Sequence, residues 1–142
     1  EYCKLAIVET KGVAKQAIEI LDKATADLDF KKPITLNING CPNSCARIQI
    51  ADIGLKGQLL PDGNGGQEPG FQVHLGGATG LQANFGRKLR AHKVTSAGLD
   101  DYISSLVTAY LADRTEGESF TTWVHRADEA LLRGEPALAG AR

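Results

Sequence analysis

The chain has 142 residues, 42% of them hydrophobic, which is enough for one domain with a buried core. Its 16 basic and 17 acidic residues leave a net charge of −1, and this balance argues against nucleic-acid binding and against a disordered acidic tail. No apolar run approaches the roughly 18 residues of a membrane-spanning helix, and no secretory signal pattern opens the chain. A cytoplasmic location is therefore expected.

The start of the chain is unusual. There is no methionine in it, and the sequence opens on EYC, with a cysteine at the third position. We therefore expect residues 1–142 to be a processed protein or, in our preferred interpretation, a piece cut from a longer one.

The first part of the chain predicts a helix followed by a strand. Residues 12–28 place apolar side chains at helical spacing, and Pro33 lies beyond their end as a stop signal. Residues 34–38, ITLNI, are typical of a buried strand. After the turn NGCPNSC we expect a short helix starting near Cys45 and then a strand over about 54–60.

The middle of the chain predicts a hairpin. Residues 61–70, PDGNGGQEPG, are dense in turn formers and predict an exposed loop. A strand over about 70–75 follows. The glycines of GGATG predict either an ordinary turn or a close approach of the backbone to a cofactor.

Two helices are expected in the C-terminal part. An apolar stripe from residue 99 predicts the first, with Ser96 as its N-cap. The second is expected from near Ser119, with an apolar face that runs to Leu131. Strands and helices are mixed without a regular βαβ rhythm, so the predicted fold class is α+β with a mixed sheet flanked by helices.

The three cysteines are the candidate chemical groups. Cys41 and Cys45 lie four residues apart on one turn, while Cys3 lies near the chain start. An odd number does not suit a disulfide framework. Iron–sulfur ligation fits the chemistry best, because thiolates are the ligands that such clusters take, usually four of them. Inert buried thiols, a catalytic thiol and a zinc site stay open as alternatives; zinc ligands would have to come from the histidines His74, His92 and His125.

Three stretches of the chain resemble one known family. NGCPNSCARIQIADIGLKG strongly resembles the cluster-binding stretch of the siroheme-containing sulfite and nitrite reductases. VHLGG at 73–77 resembles a second segment of that family, and EYCKLAIVETK resembles the sequence around its first cysteine pair. The resemblance extends to about residue 115, and LKG, HLGG and RKLRAHK make the ferredoxin-dependent branch the most similar. It implies the fold of the family's 4Fe–4S domain.

The resemblance also implies a set of site residues. In that family four cysteines hold a 4Fe–4S cluster, so Cys3, Cys41 and Cys45 would be cluster ligands. Cys45 would also bridge to the siroheme iron as its axial ligand, which makes it the expected catalytic residue, and Asn43 would contact a siroheme carboxylate. The remaining cysteine would lie just before Glu1. Residues 1–142 would then be the C-terminal cluster- and siroheme-carrying domain of a longer reductase, cut inside the first cysteine motif.

The activity that the resemblance implies is the six-electron reduction of sulfite to sulfide with electrons from ferredoxin, and the piece alone is expected to be inactive. Reduction of nitrite to ammonia is the alternative, because both subfamilies carry CPNSC. A stand-alone iron–sulfur or zinc-binding module, or a scaffold without cofactor, is the rival from another class. No nucleic-acid or membrane partner is expected. The basic run at 87–93 predicts a solvated face or, alternatively, a contact for siroheme carboxylates or for acidic ferredoxin.

Overall fold

The computed structural model of the protein describes residues 3–26 and 33–134. Four helices and four strands are found in these ranges, together with two short 3-10 turns. In chain order they are α1 (Lys11–Thr25), β1 (Leu36–Asn39), the 3-10 turn Ile48–Ile50, β2 (Ile53–Pro61), β3 (Gln67–Leu75), the 3-10 turn Gly80–Gln82, β4 (Arg87–Thr95), α2 (Leu99–Asp113), α3 (Phe120–Arg126) and α4 (Glu129–Leu132).

The four strands form one mixed sheet in the order β1-β2-β3-β4. β1 pairs parallel with β2, whereas β2 with β3 and β3 with β4 pair antiparallel. One face of the sheet is apolar and shares a single buried cluster with α1, α2 and α3. The predicted α+β class with a mixed sheet flanked by helices is confirmed.

α1 forms where the apolar periodicity predicts a helix, with Ala17 and Leu21 on its buried side. It begins one residue earlier than expected, at Lys11, because the Glu9 carboxylate accepts hydrogen bonds from the first free backbone N–H groups, those of Lys11 (2.7 Å) and Gly12 (3.0 Å). These bonds, that of Gly12 first, lower the pKa of Glu9. The expected end at residue 28 lies outside the described residues.

The predicted strands and hairpin are confirmed with shifted ends. β1 begins two residues later than expected, because the Thr35 N–H donates to the Asp52 carboxylate rather than to a strand. β2 and β3 extend until Pro61 pairs with Gln67, which leaves a turn of only five residues. The Asp62 carboxylate tightens that turn by accepting hydrogen bonds from the backbone N–H groups of Asn64 and Gly66.

β4 is a strand that the sequence did not predict. It occupies the basic run, and only Leu89 and Val94 of its nine residues are buried. An edge strand has one partner strand and tolerates charged side chains, so the alternation of apolar and polar residues along it is weak. Its pairing with β3 is also irregular: Ala91 adopts a left-handed backbone, and the Gln72 side chain donates to the carbonyls of Leu89 and His92.

Three helix predictions need correction. The short helix expected near Cys45 is a 3-10 turn that begins only at Ile48. Ser96 is not an N-cap: α2 begins after Gly98, whose N–H donates to the Thr95 hydroxyl.

The last helix starts as expected, with the Ser119 hydroxyl accepting from Thr122 N–H, but it ends at Arg126. Ala127 is extended, and Asp128 caps the separate helix α4, so the apolar residues up to Leu131 belong to two short helices rather than one. No helix within the described ranges is long and apolar enough to cross a membrane.

Candidate functional site

The cysteine turn, residues 41–47, joins the end of β1 to the first 3-10 turn. Its backbone is unusual, because Ser44 (φ 60°) and Arg47 (φ 52°) both adopt the left-handed conformation. Each such non-glycine residue costs roughly 1–2 kcal/mol. Arg47 N–H donates to the Ser44 carbonyl (2.8 Å), and the Gln49 amide donates to the Ser44 hydroxyl (3.1 Å). Contacts outside the turn must therefore hold it in this shape.

Two asparagines of β1 provide those contacts. They are two residues apart and so point to the same face of the sheet. The Asn39 side-chain oxygen accepts from Ala46 N–H (2.6 Å), and the Asn37 side-chain amide donates to the Ala46 carbonyl (2.9 Å). Asn39 is only 6% exposed. These two hydrogen bonds hold the cysteine turn against the polar face of β1.

The 3-10 turn that follows lies directly on β2. A side chain at Gly54 would overlap the carbonyl of Ile48, so only glycine allows this close approach. On its other side the segment is held by Gly86 N–H, which donates to the Gln49 carbonyl (2.7 Å), and by Gly77 N–H, which donates to the Ala51 carbonyl (2.9 Å). Gly77 of HLGG and the more distant Gly86 therefore hold the segment behind the cysteine turn.

Asp52 anchors the end of that segment. Its side chain is buried (2% exposed) and every contact it makes is to a donor. One carboxylate oxygen accepts from the N–H and hydroxyl of Thr35, and the other accepts from the Thr121 hydroxyl (2.6 Å). The base of the cysteine turn is thereby tied to the start of β1 and to α3.

The two thiols of the turn differ in exposure. Cys41 is 7% exposed, Cys45 is exposed, and both are free. Asn43, expected to contact a siroheme carboxylate, is also exposed on the turn. One thiol therefore lies against the domain, while the other thiol and the amide lie at its surface.

Cys3 is exposed, and the segment that carries it is bound to the start of the turn. The Gly40 carbonyl accepts hydrogen bonds from both Ile7 N–H (2.8 Å) and Val8 N–H (3.0 Å). A side chain at Gly40 would approach the Val8 carbonyl to 2.7 Å. The residue immediately before Cys41 is thus the docking point of the N-terminal segment.

The three free thiols are of the ligand type that iron–sulfur clusters take. Two lie on the cysteine turn, and the third lies on a segment whose Ile7 and Val8 N–H groups donate to Gly40, the residue just before that turn. Within residues 3–26 and 33–134, no three His, Cys, Asp or Glu side chains form a group that could hold a single metal ion. A zinc set of the turn thiols and a histidine is therefore not formed in these ranges; the His125 ring, for example, contacts the Gly76 carbonyl instead (3.0 Å).

Sequence reasoning found the cysteines but missed the residues that position them. Asn37, Asn39 and Asp52 carried no assigned role. A usable signal was present, because asparagine is depleted in strands and ITLNI is followed by a further asparagine within the same strand. The partners of Asp52 lie 17 and 69 residues away in sequence, so nothing local could reveal them.

Known proteins have sequences similar to this chain. Over 135 residues the chain is 56% identical to a protein named sulfite reductase (ferredoxin) from Mycobacterium tuberculosis strain H37Rv, a match that covers 94% of the chain and 24% of that protein. Over 88 residues it is 40% identical to a ferredoxin–nitrite reductase from Synechococcus elongatus, which covers 62% of the chain and 16% of that protein. The chain therefore spans about a quarter of the length of its mycobacterial relative.

The fold is shared as well. The solved structure of the Mycobacterium tuberculosis NirA protein matches with a TM-score of 0.82 and 56% sequence identity, covering 92% of this chain and 24% of that one. The family model described as the nitrite and sulphite reductase 4Fe-4S domain matches residues 1–135, which include all three cysteines. The chain belongs to the nitrite and sulphite reductase 4Fe-4S domain family.

Proposed function

We propose that residues 1–142 are the C-terminal cluster- and siroheme-carrying domain of a longer ferredoxin-dependent sulfite reductase. The observation that carries the proposal is the 56% identity, over 94% of the chain, to a protein named sulfite reductase (ferredoxin). The match to a ferredoxin–nitrite reductase is lower, at 40%, and covers 62% of the chain. Sulfite is therefore the proposed substrate and nitrite the second candidate. The expected cytoplasmic location stays a prediction.

Cys3, Cys41 and Cys45 are the proposed cluster ligands, with a fourth cysteine supplied from outside residues 1–142. When bound, the cluster and the siroheme supply the electrons and the iron at which the substrate is reduced. Cys41, buried against the domain, would fix the position of the cluster. Cys45 is exposed, which suits a thiolate shared with a second cofactor. The exposed Asn43 amide would donate to a siroheme carboxylate.

The remaining residues of the site act on the backbone. Asn37 and Asn39 hold the cysteine turn in its left-handed shape, and Asp52 fixes the segment behind it. The two proposed ligands on the turn would therefore be held in position before a cofactor binds, which would lower the conformational cost of binding.

The test compares cysteine variants of the full-length enzyme. We expect Cys45→Ser to lose both the cluster and the axial siroheme bond, because a hydroxyl is a much poorer bridge than a thiolate. Cys41→Ser should lose the cluster and keep part of the siroheme. Iron, acid-labile sulfide and siroheme are measured per chain, and sulfite and nitrite reduction are assayed with reduced ferredoxin. Ala112→Ser, on the exposed side of α2, is the control.

A Cys45→Ser enzyme with an unchanged siroheme spectrum and near-normal activity would refute the bridging role. Should neither cysteine variant lose iron, the ligand assignment is wrong. Faster reduction of nitrite than of sulfite by the wild type would favour the second candidate.

A further inference from the structure

Large apolar side chains are exposed at both ends of the segment that carries the cysteine turn. Among the described residues six large hydrophobic side chains are exposed, and four of them lie on two segments bonded to this part of the chain: Leu5, Ile7, Leu81 and Phe85. Single exposed apolar side chains are normal on a protein surface, whereas their concentration around one feature indicates an interaction site. We call these four side chains the apolar rim.

The first half of the apolar rim borders the start of the cysteine turn. Ile7 N–H donates to the Gly40 carbonyl (2.8 Å), which holds the segment with Leu5 and Ile7 next to the turn. The same segment carries Cys3. Any polypeptide that precedes Cys3 therefore reaches the domain at this edge of the turn.

The second half borders the segment behind the turn. Leu81 and Phe85 lie in the loop 78–85. The glycines on either side of this loop donate backbone hydrogen bonds to the carbonyls of Gln49 (2.7 Å) and Ala51 (2.9 Å). The apolar rim therefore borders the cysteine-turn segment both where it begins and where it ends.

The loop has a defined shape. Ala78 and Asn84 exchange two backbone hydrogen bonds (3.0 and 3.2 Å), and Ala83 N–H donates to the Gly80 carbonyl (3.1 Å). Ala78, Ala83 and Phe85 are among the residues that line a depression of about 300 Å³ beside it. Because the loop is already held by its own hydrogen bonds, it loses little conformational freedom when a partner covers it.

Charged side chains are sparse around the turn. The stretches 5–8, 33–46 and 76–86 contain no Asp, Glu, Lys or Arg, although such residues make up 23% of the chain. Arg47, at the end of the turn, is the exception. The core of an interface is depleted of charge in this way, and permanent interfaces are more hydrophobic than transient ones. The composition therefore favours a permanent partner.

We propose that the apolar rim is the docking surface for the polypeptide that precedes Glu1 in the longer protein. The inference rests on the proposed function, in which residues 1–142 are one part of a longer chain; the mycobacterial relative is matched over 24% of its length. That polypeptide is a permanent partner, and it enters beside Leu5 and Ile7. Docking on the apolar rim places it at both ends of the cysteine turn, where the other side of the proposed cofactor site is needed.

The test is hydroxyl-radical footprinting of the wild-type full-length protein, prepared without siroheme and read by mass spectrometry. Rates are normalised to those of the free amino acids. Leu81, fully exposed, and Phe85 (77%) are more exposed in the described domain than Ile18 (48%), which lies on α1 across the sheet from the turn. We expect this order to reverse in the full-length protein: Leu81 and Phe85 lose most of their modification and Ile18 keeps it.

Two variants check the contact independently of footprinting. Leu81→Ser and Phe85→Ser should each lower the Tm of the full-length protein by several degrees, because each removes a large apolar side chain from the proposed interface. Ile18→Ser is the matched control and should leave the Tm unchanged. Equal Tm values for the wild type and both variants would contradict the docking surface.

Three footprinting results would also overturn it. One is modification of Leu81 and Phe85 at or above the rate of Ile18. Another is protection that appears only after siroheme is added, because the cofactor would then be the occupant. The third is protection that is lost on dilution, because the occupant would then be a second copy of the chain.

The proposed function fails in a different way. A full-length protein in which Leu81 and Phe85 are protected, but which binds no siroheme and reduces neither sulfite nor nitrite, would refute the proposed function and support the docking surface.

Discussion

At the scale of single residues, the site depends on groups that are not ligands. Asn39 is buried in a strand, where its side-chain oxygen accepts one backbone N–H of the cysteine turn, and Gly54 lacks a side chain, which allows the backbone at Ile48 to lie on β2. Both residues help to hold the backbone that carries Cys41 and Cys45 in one conformation. Their substitution should damage the site without touching a thiol.

Gly54→Ala tests this directly. The new methyl group would overlap the Ile48 carbonyl, which is backbone and cannot rotate away, so the segment behind the turn must move. Overpacking of this kind costs about 1–3 kcal/mol of the free energy of unfolding. The measurement is urea unfolding of the 142-residue chain, followed by the fluorescence of Trp123, its single tryptophan.

Gly12→Ala is the matched control, since its methyl group would meet only the flexible Glu9 side chain and alanine favours a helix. It should keep or raise the stability. Equal unfolding midpoints for the wild type and Gly54→Ala would show that the close approach at Ile48 is not required.

At the scale of elements, Arg126 stabilises the corner between α2 and α3 through its hydrogen bonds. Arg126 binds both carboxylate oxygens of Glu118 (2.7 Å each) and also donates to the Asp113 backbone carbonyl at the end of α2 (2.6 Å). Trp123 adds a hydrogen bond from its indole N–H to the Asp113 carboxylate (2.8 Å). The corner holds α3 against the sheet, and α3 carries Thr121, a partner of Asp52.

The pH dependence of stability should report on this corner. The hydrogen bond from Arg126 lowers the pKa of Glu118 below its ordinary 4.5. A carboxyl whose folded-state pKa is depressed adds stability above the unfolded pKa and loses it as the pH falls through the folded value. Arg126→Gln should therefore lower the unfolding midpoint at pH 7, and its difference from the wild type should shrink below pH 4.5. Arg90→Gln, on the exposed side of β4, is the control.

Urea unfolding across that pH range checks the prediction. A difference between Arg126→Gln and the wild type that stays constant down to the lowest pH would mean that Glu118 is not the group responsible.

At the scale of the whole molecule, we expect the described residues to provide only one side of the proposed cofactor site. The sheet is covered by helices on its apolar face, whereas the cysteine turn lies on the opposite, polar face. Cofactor sites in proteins enclose most of the ligand surface. A single face cannot do this, which agrees with a chain that spans about a quarter of its mycobacterial relative.

The isolated 142-residue chain should consequently carry no stoichiometric siroheme. It offers three thiols where a cluster usually takes four, and only one face for the macrocycle. Siroheme content per chain is compared between the isolated chain and the full-length protein after the same reconstitution. Equal content in the two would show that residues 1–142 enclose the cofactor by themselves.

The sequence alone determined the features that depend on neighbours in the chain. The apolar period of α2, the turn formers between β2 and β3, and the four-residue spacing of Cys41 and Cys45 are local patterns. The interactions behind these patterns act between residues close in sequence. The corresponding features can therefore be predicted without knowing the tertiary fold.

Only the tertiary structure decided the rest. β4 is a strand because β3 offers it an edge, and Asp52 is satisfied because Thr35 and Thr121 are brought to it from distant parts of the chain. In the same way, Asn37, Gly54 and His74 come from three strands and become neighbours only after these strands pair. Strand register follows from the burial of the apolar face as a whole, and this is a property of the complete fold that no single segment encodes.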